Sequence, residues 1–296
     1  MAKAELSPYP EGKCNHKYAM CPRLHFRRKC DTIKEVLIKE ASCVPRFIQR
    51  FLSISVCGLF SEVFMWNGKM KAVTFSYDDG IVYDRRLVEI FNKYGLRCTF
   101  NLNSGIMSGA SYWEDHGVQI HRMNANGLPE LYRGHEIAVH CLTHADLTSC
   151  DDETVRNEVL LDKENLERMF GCEIEGMAYP YGTFNEHIVE ILRECGIKYA
   201  RTTCTTCGAA TPASLLTLSA AMHHNDERAF EYINDFLALD PAEMTEPKML
   251  YIWGHSYEFE VNGNWDRIEE ICRLLSGKDD IFYGTNKEVL SPFYGK

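Results

Sequence analysis

The chain has 296 residues, 45% of them hydrophobic and 25% charged, which suits a large globular α/β domain with an appendage. Its formal net charge of −10 conceals an asymmetry: residues 1–69 carry 12 Lys and Arg against 6 Asp and Glu, whereas residues 70–296 carry 20 against 36. The acidic body excludes a nucleic-acid partner, whose phosphates require a basic face, and no apolar run is long enough for a membrane span.

Residues 1–69 hold no sustained period of 2 or 3.6. The apolar stretch 47–66 is interrupted by Arg50 and Glu62, which disfavours a spanning helix or a signal segment. We read 1–69 as an N-terminal extension outside the fold, with the folded enzyme starting near Met65 or Met70 and a catalytic domain over 70–296. Thirteen cysteines without a framework spacing, and no secretory signal, lead us to expect reduced thiols and a cytoplasmic location.

From Lys71 onward, strands and helices alternate. KAVTFSY (71–77) reads as a strand ending at Asp78-Asp79-Gly80. Leu87, Ile90, Phe91 and Tyr94 have helical spacing over 83–94, stopped by Gly95. CTFNLNSG (98–105) is a second strand, a polar Gly-rich region follows, and HEIAVHC (135–141) is a third. A long helix is predicted over 149–171, with Ser149 or Asp151 as its cap and Gly171 as its stop. A strand (173–182), a helix (184–196), a strand (197–203) and a candidate strand (215–222) come next. Helix 226–238, strand 248–255, helix 265–277 and strand 280–286 complete the pattern. Repeated units of this kind predict parallel strands with helical crossovers, and seven or eight of them favour an α/β fold of the distorted (β/α) barrel type, with a doubly wound sheet as the fallback.

In such barrels the site lies at the carboxyl ends of the strands. The unusual polar residues fall there: Asp78 and Asp79 after the first strand, His140 and His144 after the third, Pro180-Tyr181-Gly182 after the fourth, Arg201 near the end of the fifth and His255 after the seventh. Any one of these motifs alone reads equally well as a turn or a core histidine; their convergence on one face does not. Two imidazoles and a carboxylate form a common ligand set for a catalytic divalent ion. A second carboxylate can then take a proton from water, and a separate His can protonate a leaving group.

TFSYDDG (74–80), HCLTH (140–144), YPYG (179–182) and YIWGH (251–255) resemble, in order and spacing, the motifs of the polysaccharide deacetylases, the NodB-homology carbohydrate esterases, over about Lys71 to Asn286. The resemblance implies a distorted (β/α) barrel holding a divalent metal, most often Zn²⁺, with Co²⁺, Ni²⁺, Mn²⁺ and Fe²⁺ as alternatives. It implies Asp79, His140 and His144 as metal ligands, Asp78 as general base, Tyr181 as oxyanion donor through its backbone N–H, and His255 as general acid. The substrate would be an N-acetylated or O-acetylated saccharide. Where the family carries an Arg that orients the base, this chain has Ala178, and we expect Arg201 to pair with Asp78 instead. The family's acidic, Trp-containing motif has no match, leaving Glu258 or Asp266 to orient His255. Tyr181, Trp253 and Tyr257 are candidate substrate contacts, with Trp113, Trp265 and Phe259 as weaker ones. Cys204-x-x-Cys207 lacks the second pair that a zinc site would need, and His223-His224 reads as an extra metal contact or as surface. Hydrolysis of small non-sugar or cyclic amides on the same fold, or saccharide binding without turnover, would use the same frame. Retained Asp78 and His255 argue against the latter, because binding needs neither a base nor an acid.

Overall fold

The fold is that of a computed structural model that describes residues 65–294; the expected extension over 1–64 lies outside the described residues. Strand β1 (Lys71–Asp78) is buried along its whole length and organises the sheet. It pairs in parallel with β10 (Lys248–Gly254), from Lys71 opposite Lys248 to Tyr77 opposite Gly254. On its other side β1 meets β11 (Ile281–Tyr283) at its amino end and β2 (Thr99–Leu102) at its carboxyl end. From β2 the parallel order continues through β5 (Glu136–Val139), β6 (Gly176–Ala178), β7 (Tyr199–Thr205) and β8 (Leu218–Ala220), while β9 (Met222–His223) lies beside β10. β8 and β9 are two halves of one segment. The first bonds to β7 and the second to β10, with the Ala221 N–H donating to Tyr251 O at 2.7 Å between them. That segment closes the sheet into the distorted barrel.

The crossover helices are α1 (Asp84–Tyr94), α3 (Asp152–Phe170), α4 (Glu186–Glu194), α5 (Ala229–Ala238) and α7 (Trp265–Leu275), with the short α2 (Leu128–Leu131) ahead of β5. Local signals set their ends. The Asp151 side chain accepts from Thr154 N at the start of α3, and Gly171 adopts the left-handed conformation at its end. Not expected from sequence were the hairpin β3 (Tyr112–Asp115) and β4 (Val118–His121) and the short helices α2, α6 (Tyr257–Val261) and α8 (Asn286–Leu290).

Alternation along the strands sorts the side chains into two cores. Val73, Phe75, Tyr77, Leu250 and Ile252 face the helices. Ala72, Tyr199, Met249, Tyr251 and Trp253 share a second cluster with Trp66, Val289 and Leu290. The inward phase is unusually polar: Thr74 bonds Asn286, Asn286 bonds the Tyr251 hydroxyl, Ser76 accepts from Asn101, and Tyr199 bonds Glu136. Extended two residues at a time, this phase reaches Asp78, His140, Arg201 and His255.

The packed domain reaches back beyond Met70. Trp66 is buried, donates from its indole to Val289 O at 2.8 Å and packs against Phe293, in keeping with the start near Met65 that the sequence allowed. Trp66→Ala is therefore expected to destabilise the domain by about 3–5 kcal/mol, the usual range for truncating a buried large aromatic. Urea unfolding against wild type measures it, and an unchanged midpoint would show that these residues are not part of the fold.

Candidate active site

Asp78 is the last residue of β1 and points into the barrel mouth, nearly inaccessible to solvent. Arg201 of β7 forms a buried ion pair with its Oδ2, and Asn101 of β2 donates to its Oδ1 at 2.7 Å. Burial pushes its carboxyl up, but the Arg201 guanidinium first, with His140 and His255 beside it, outweighs that and holds its pKa below the ordinary value. Arg201 is the neighbour of Ala178 in the β6–β7 register. The guanidinium therefore comes from one strand over, with its plane against Trp253 at 4.5 Å.

Asp79 leaves the strand with φ of 82°, and its carboxylate turns toward the two histidines after β5. Its Oδ1 lies 3.6 Å from His144 Nε2 and 4.0 Å from His140 Nε2. Arg122, which sequence reasoning missed, clasps Asp79 twice, donating to its carbonyl at 2.7 Å and to its Oδ1 at 3.2 Å. Burial pushes this carboxyl up as well, yet His255, Arg122, His144 and His140 hold it well below the usual carboxylate range. Arg122 follows the β3–β4 hairpin, whose His116-Gly117 turn has positive φ at both residues; a two-residue turn between alternating strands was the signal available.

His140 is buried, and its Nδ1–H donates to Ala178 O at 2.8 Å. That bond places the proton on Nδ1 and leaves the Nε2 lone pair bare toward Asp79. The 140–144 segment is a tight loop rather than a helix. Thr143 donates from both its N–H and its hydroxyl to Glu158 at 2.8 and 2.7 Å, and Asp162 accepts from the His140 and Ser104 N–H groups. Burial lowers the pKa of His140 and brings that of His144 down to about 4, which favours the neutral form of both rings. Positive φ at Asp79, Cys141, His144 and Tyr181 concentrates backbone strain around this cluster.

His255 follows β10. Its Nε2 stands 3.8 Å from Asp78 Oδ2 and 3.9 Å from Asp79 Oδ2, and its Nδ1 lies 3.3 Å from Glu258 Oε1. Burial lowers its pKa, but the Glu258 bond and the charges of Glu258, Asp79 and Asp78 more than reverse this and hold it at about 9. Of the two orienting candidates, Glu258 is the one in contact. Its other oxygen faces His223 and His224 at 3.0 and 2.9 Å.

The aromatic candidates separate. Tyr181 is half exposed, with its ring 4.7 Å from His144, and Tyr257 lies between His255 and Trp113. Trp253 does not form an open platform: it is only 8% exposed, because its inward phase places it beneath Arg201 and edge-on to His223. Trp265 and Phe259 pack on each other in the outer core. His224 is fully buried, which removes the surface reading for that residue. Cys204 and Cys207 are exposed, unpaired thiols.

Residues 67–200 match the family described as polysaccharide deacetylase. Over that segment the chain carries the family match that its motifs led us to expect. Among solved structures, the chain is similar to a Mycobacterium smegmatis protein provisionally assigned as a polysaccharide deacetylase, at TM-score 0.58 and 18% identity over 76% of this chain and 90% of that one. It is also similar to the chitin deacetylase of the fungal pathogen Colletotrichum lindemuthianum, at 0.50 and 16% over 75% and 87%. Against the Streptococcus pyogenes deacetylase PplD the values are 0.43 and 22%, and the match spans 61% of that protein's length and 49% of this chain. At these identities the likeness is one of fold.

The domain has the donor set for a divalent ion. One ligand atom each from Asp79, His140 and His144 lie within 4.8 Å of one another, with the carboxylate ionised and both imidazoles neutral. His144→Ala should abolish stoichiometric Zn²⁺ binding. Arg122→Ala, which frees the Asp79 anchor, should weaken Zn²⁺ binding about 10- to 100-fold; calorimetric titration of the metal checks both, and undiminished binding by His144→Ala would displace the ligand set.

Two buried carboxyls near the site also set a pH dependence of stability. Burial pushes Asp84, which accepts from Tyr132 and Ser256, and Asp162 up to about 7. The folded state thus binds protons more tightly than the unfolded chain, whose carboxyls titrate near 4, so stability falls as pH rises from about 4 to 7. Asp84→Asn should flatten that fall, as read by Tm against pH; a profile parallel to wild type would exclude Asp84 as a cause.

Proposed function

We propose that this deacetylase-family domain hydrolyses acetyl groups from an N-acetylated or O-acetylated saccharide with the aid of a divalent ion, most often Zn²⁺, held by Asp79, His140 and His144. The observation that carries the reading is that an ionised Asp78 and a proton-carrying His255 face each other at 3.8 Å beside those three donor groups. A binding barrel has no use for that pairing of base and acid, and the same pairing disfavours the reading without turnover.

When bound, the ion supplies Lewis acidity to the acetyl carbonyl and to the attacking water. The residues of the chain carry the proton transfers. Asp78 accepts the proton of the attacking water as the new C–O bond forms, and Arg201 and Asn101 hold it in place. The Tyr181 backbone N–H is the donor we assign to the developing oxyanion. His255 delivers the proton to the departing nitrogen or oxygen as its bond to the acetyl carbon breaks, with acetate and the free amine or alcohol as products. Arg201 takes the orienting role that Ala178 cannot. Tyr181 and Tyr257, beside His144 and His255, are the assigned substrate contacts.

Acetate release from a panel of N-acetyl and O-acetyl oligosaccharides tests the reading. Release that a chelator stops and that Asp78→Asn lacks is the expected result. Release from cyclic amides alone would transfer the activity to small amides. Arg201→Ala should lower kcat about 100-fold or more at unchanged metal content; loss of metal in parallel, or an unchanged rate, would remove Arg201 from that role.

A further inference from the structure

His223, His224 and Glu258 form a second group of three metal-capable side chains within 4.8 Å of one another. Their hydrogen bonding distinguishes them from the first. His223 Nδ1 accepts the Asn225 N–H at 3.1 Å, so the ring proton of a neutral His223 sits on Nε2, the atom facing Glu258 at 3.0 Å. A nitrogen that carries a proton donates and does not ligate. In His140 the order is reversed: Nδ1 donates to a carbonyl and Nε2 is left bare. His140 and His223 therefore carry opposite tautomers.

Glu258 is flanked on three sides. Oε2 faces His223 and His224 and accepts the main-chain N–H of His255 at 3.3 Å, while Oε1 faces the His255 ring. His224 has no freedom to move. It is stacked between Tyr77 and Phe259, with ring centroids at 5.5 and 4.1 Å, and its Nδ1 sits so close to Gly254 that a Cβ there would lie 2.0 Å away. Arg267 further ties its carbonyl at 2.7 Å. A fully buried imidazole held against a carboxylate that is itself mostly shielded, at a place where apolar packing would cost less free energy, points to a need for geometry.

We propose that His223 and His224 are positioning residues that lock the Glu258 carboxylate, and through it the His255 ring, in line with the leaving group, and that they are not a second metal centre. This rests on His255 acting as the acid. The strand that closes the barrel thereby also aligns the acid, because His223 and His224 directly follow Met222 on the closing segment.

The test uses the Zn²⁺-loaded full chain and three variants: His224→Phe, which keeps a ring between Tyr77 and Phe259; His223→Leu; and His223→Gln, which keeps an N–H toward Glu258. Chitopentaose is the amide probe, whose amine must be protonated to leave, and 4-nitrophenyl acetate is the ester probe, whose phenolate leaves unaided. His224→Phe and His223→Leu should lower kcat on chitopentaose about 10- to 100-fold with little change in KM, and lower ester turnover by no more than about threefold. His223→Gln should recover most of the His223→Leu loss. Equal losses on both probes, no loss, or a second Zn²⁺ equivalent in wild type that His223→Leu removes would each overturn the proposal. ¹⁵N NMR of histidine-labelled protein gives an activity-independent reading: His223 should carry its proton on Nε2, and His255 ring signals should shift in His224→Phe. A wild type inert toward chitopentaose but showing both signatures would fail the deacetylase function and leave the positioning intact; a bare Nε2 on His223, or unmoved His255 signals, would fail the positioning itself.

Discussion

Two adjacent carboxylates buried at the mouth of a barrel stay ionised only if cations surround them, and most of the site answers that constraint. An unpaired buried carboxylate would cost several kcal/mol or take up a proton. Asp78 meets Arg201, Asp79 meets Arg122, and both face His255. Each partner comes from a different part of the chain: β7, the segment after the β3–β4 hairpin, and the end of β10. The hairpin, an insertion between two barrel strands, is thus tied to the site by the charge of Asp79. Glu258 extends the same logic outward, since a third carboxylate sustains the proton on His255 against burial.

The polar barrel interior makes this arrangement possible. Tightly packed apolar layers would leave no route for an arginine to cross from β7 to β1. Here the inward phase carries Thr74, Ser76, Asn101 and Asn286, each bonded to a neighbour, and the guanidinium lies along Trp253. The left-handed residues at the mouth turn side chains off the strand direction and toward a common point, a local cost that the surrounding hydrogen bonds offset.

Much of this was legible in advance. Strand–helix alternation marked a (β/α) barrel, and strand-end placement gathered Asp78, Asp79, His140, His144 and His255. The substitution of Ala178 for an arginine directed attention to Arg201, which structure places on the neighbouring strand and against Asp78. Other parts were not legible. Arg122 lies in a polar stretch whose strands are short and half exposed, so only a weak alternation and a two-residue turn marked them. Trp253 looked like a sugar platform because sequence does not show that an arginine covers its face. The role of Trp66 was not legible because its partner, Val289, is 223 residues away.

The sequence by itself determined the class of fold, the order of the barrel strands and helices and a set of candidate groups, because these follow from local periodicity and from which side chains can hold charge or donate a lone pair. Only the tertiary structure decided which cation meets which carboxylate and which nitrogen of each histidine carries the proton. Those outcomes depend on through-space contacts a few ångströms long: a carbonyl at Ala178 that fixes His140, and a backbone N–H at Asn225 that fixes His223 in the opposite sense. Residue types alone do not distinguish the two histidine clusters; their hydrogen-bond partners do.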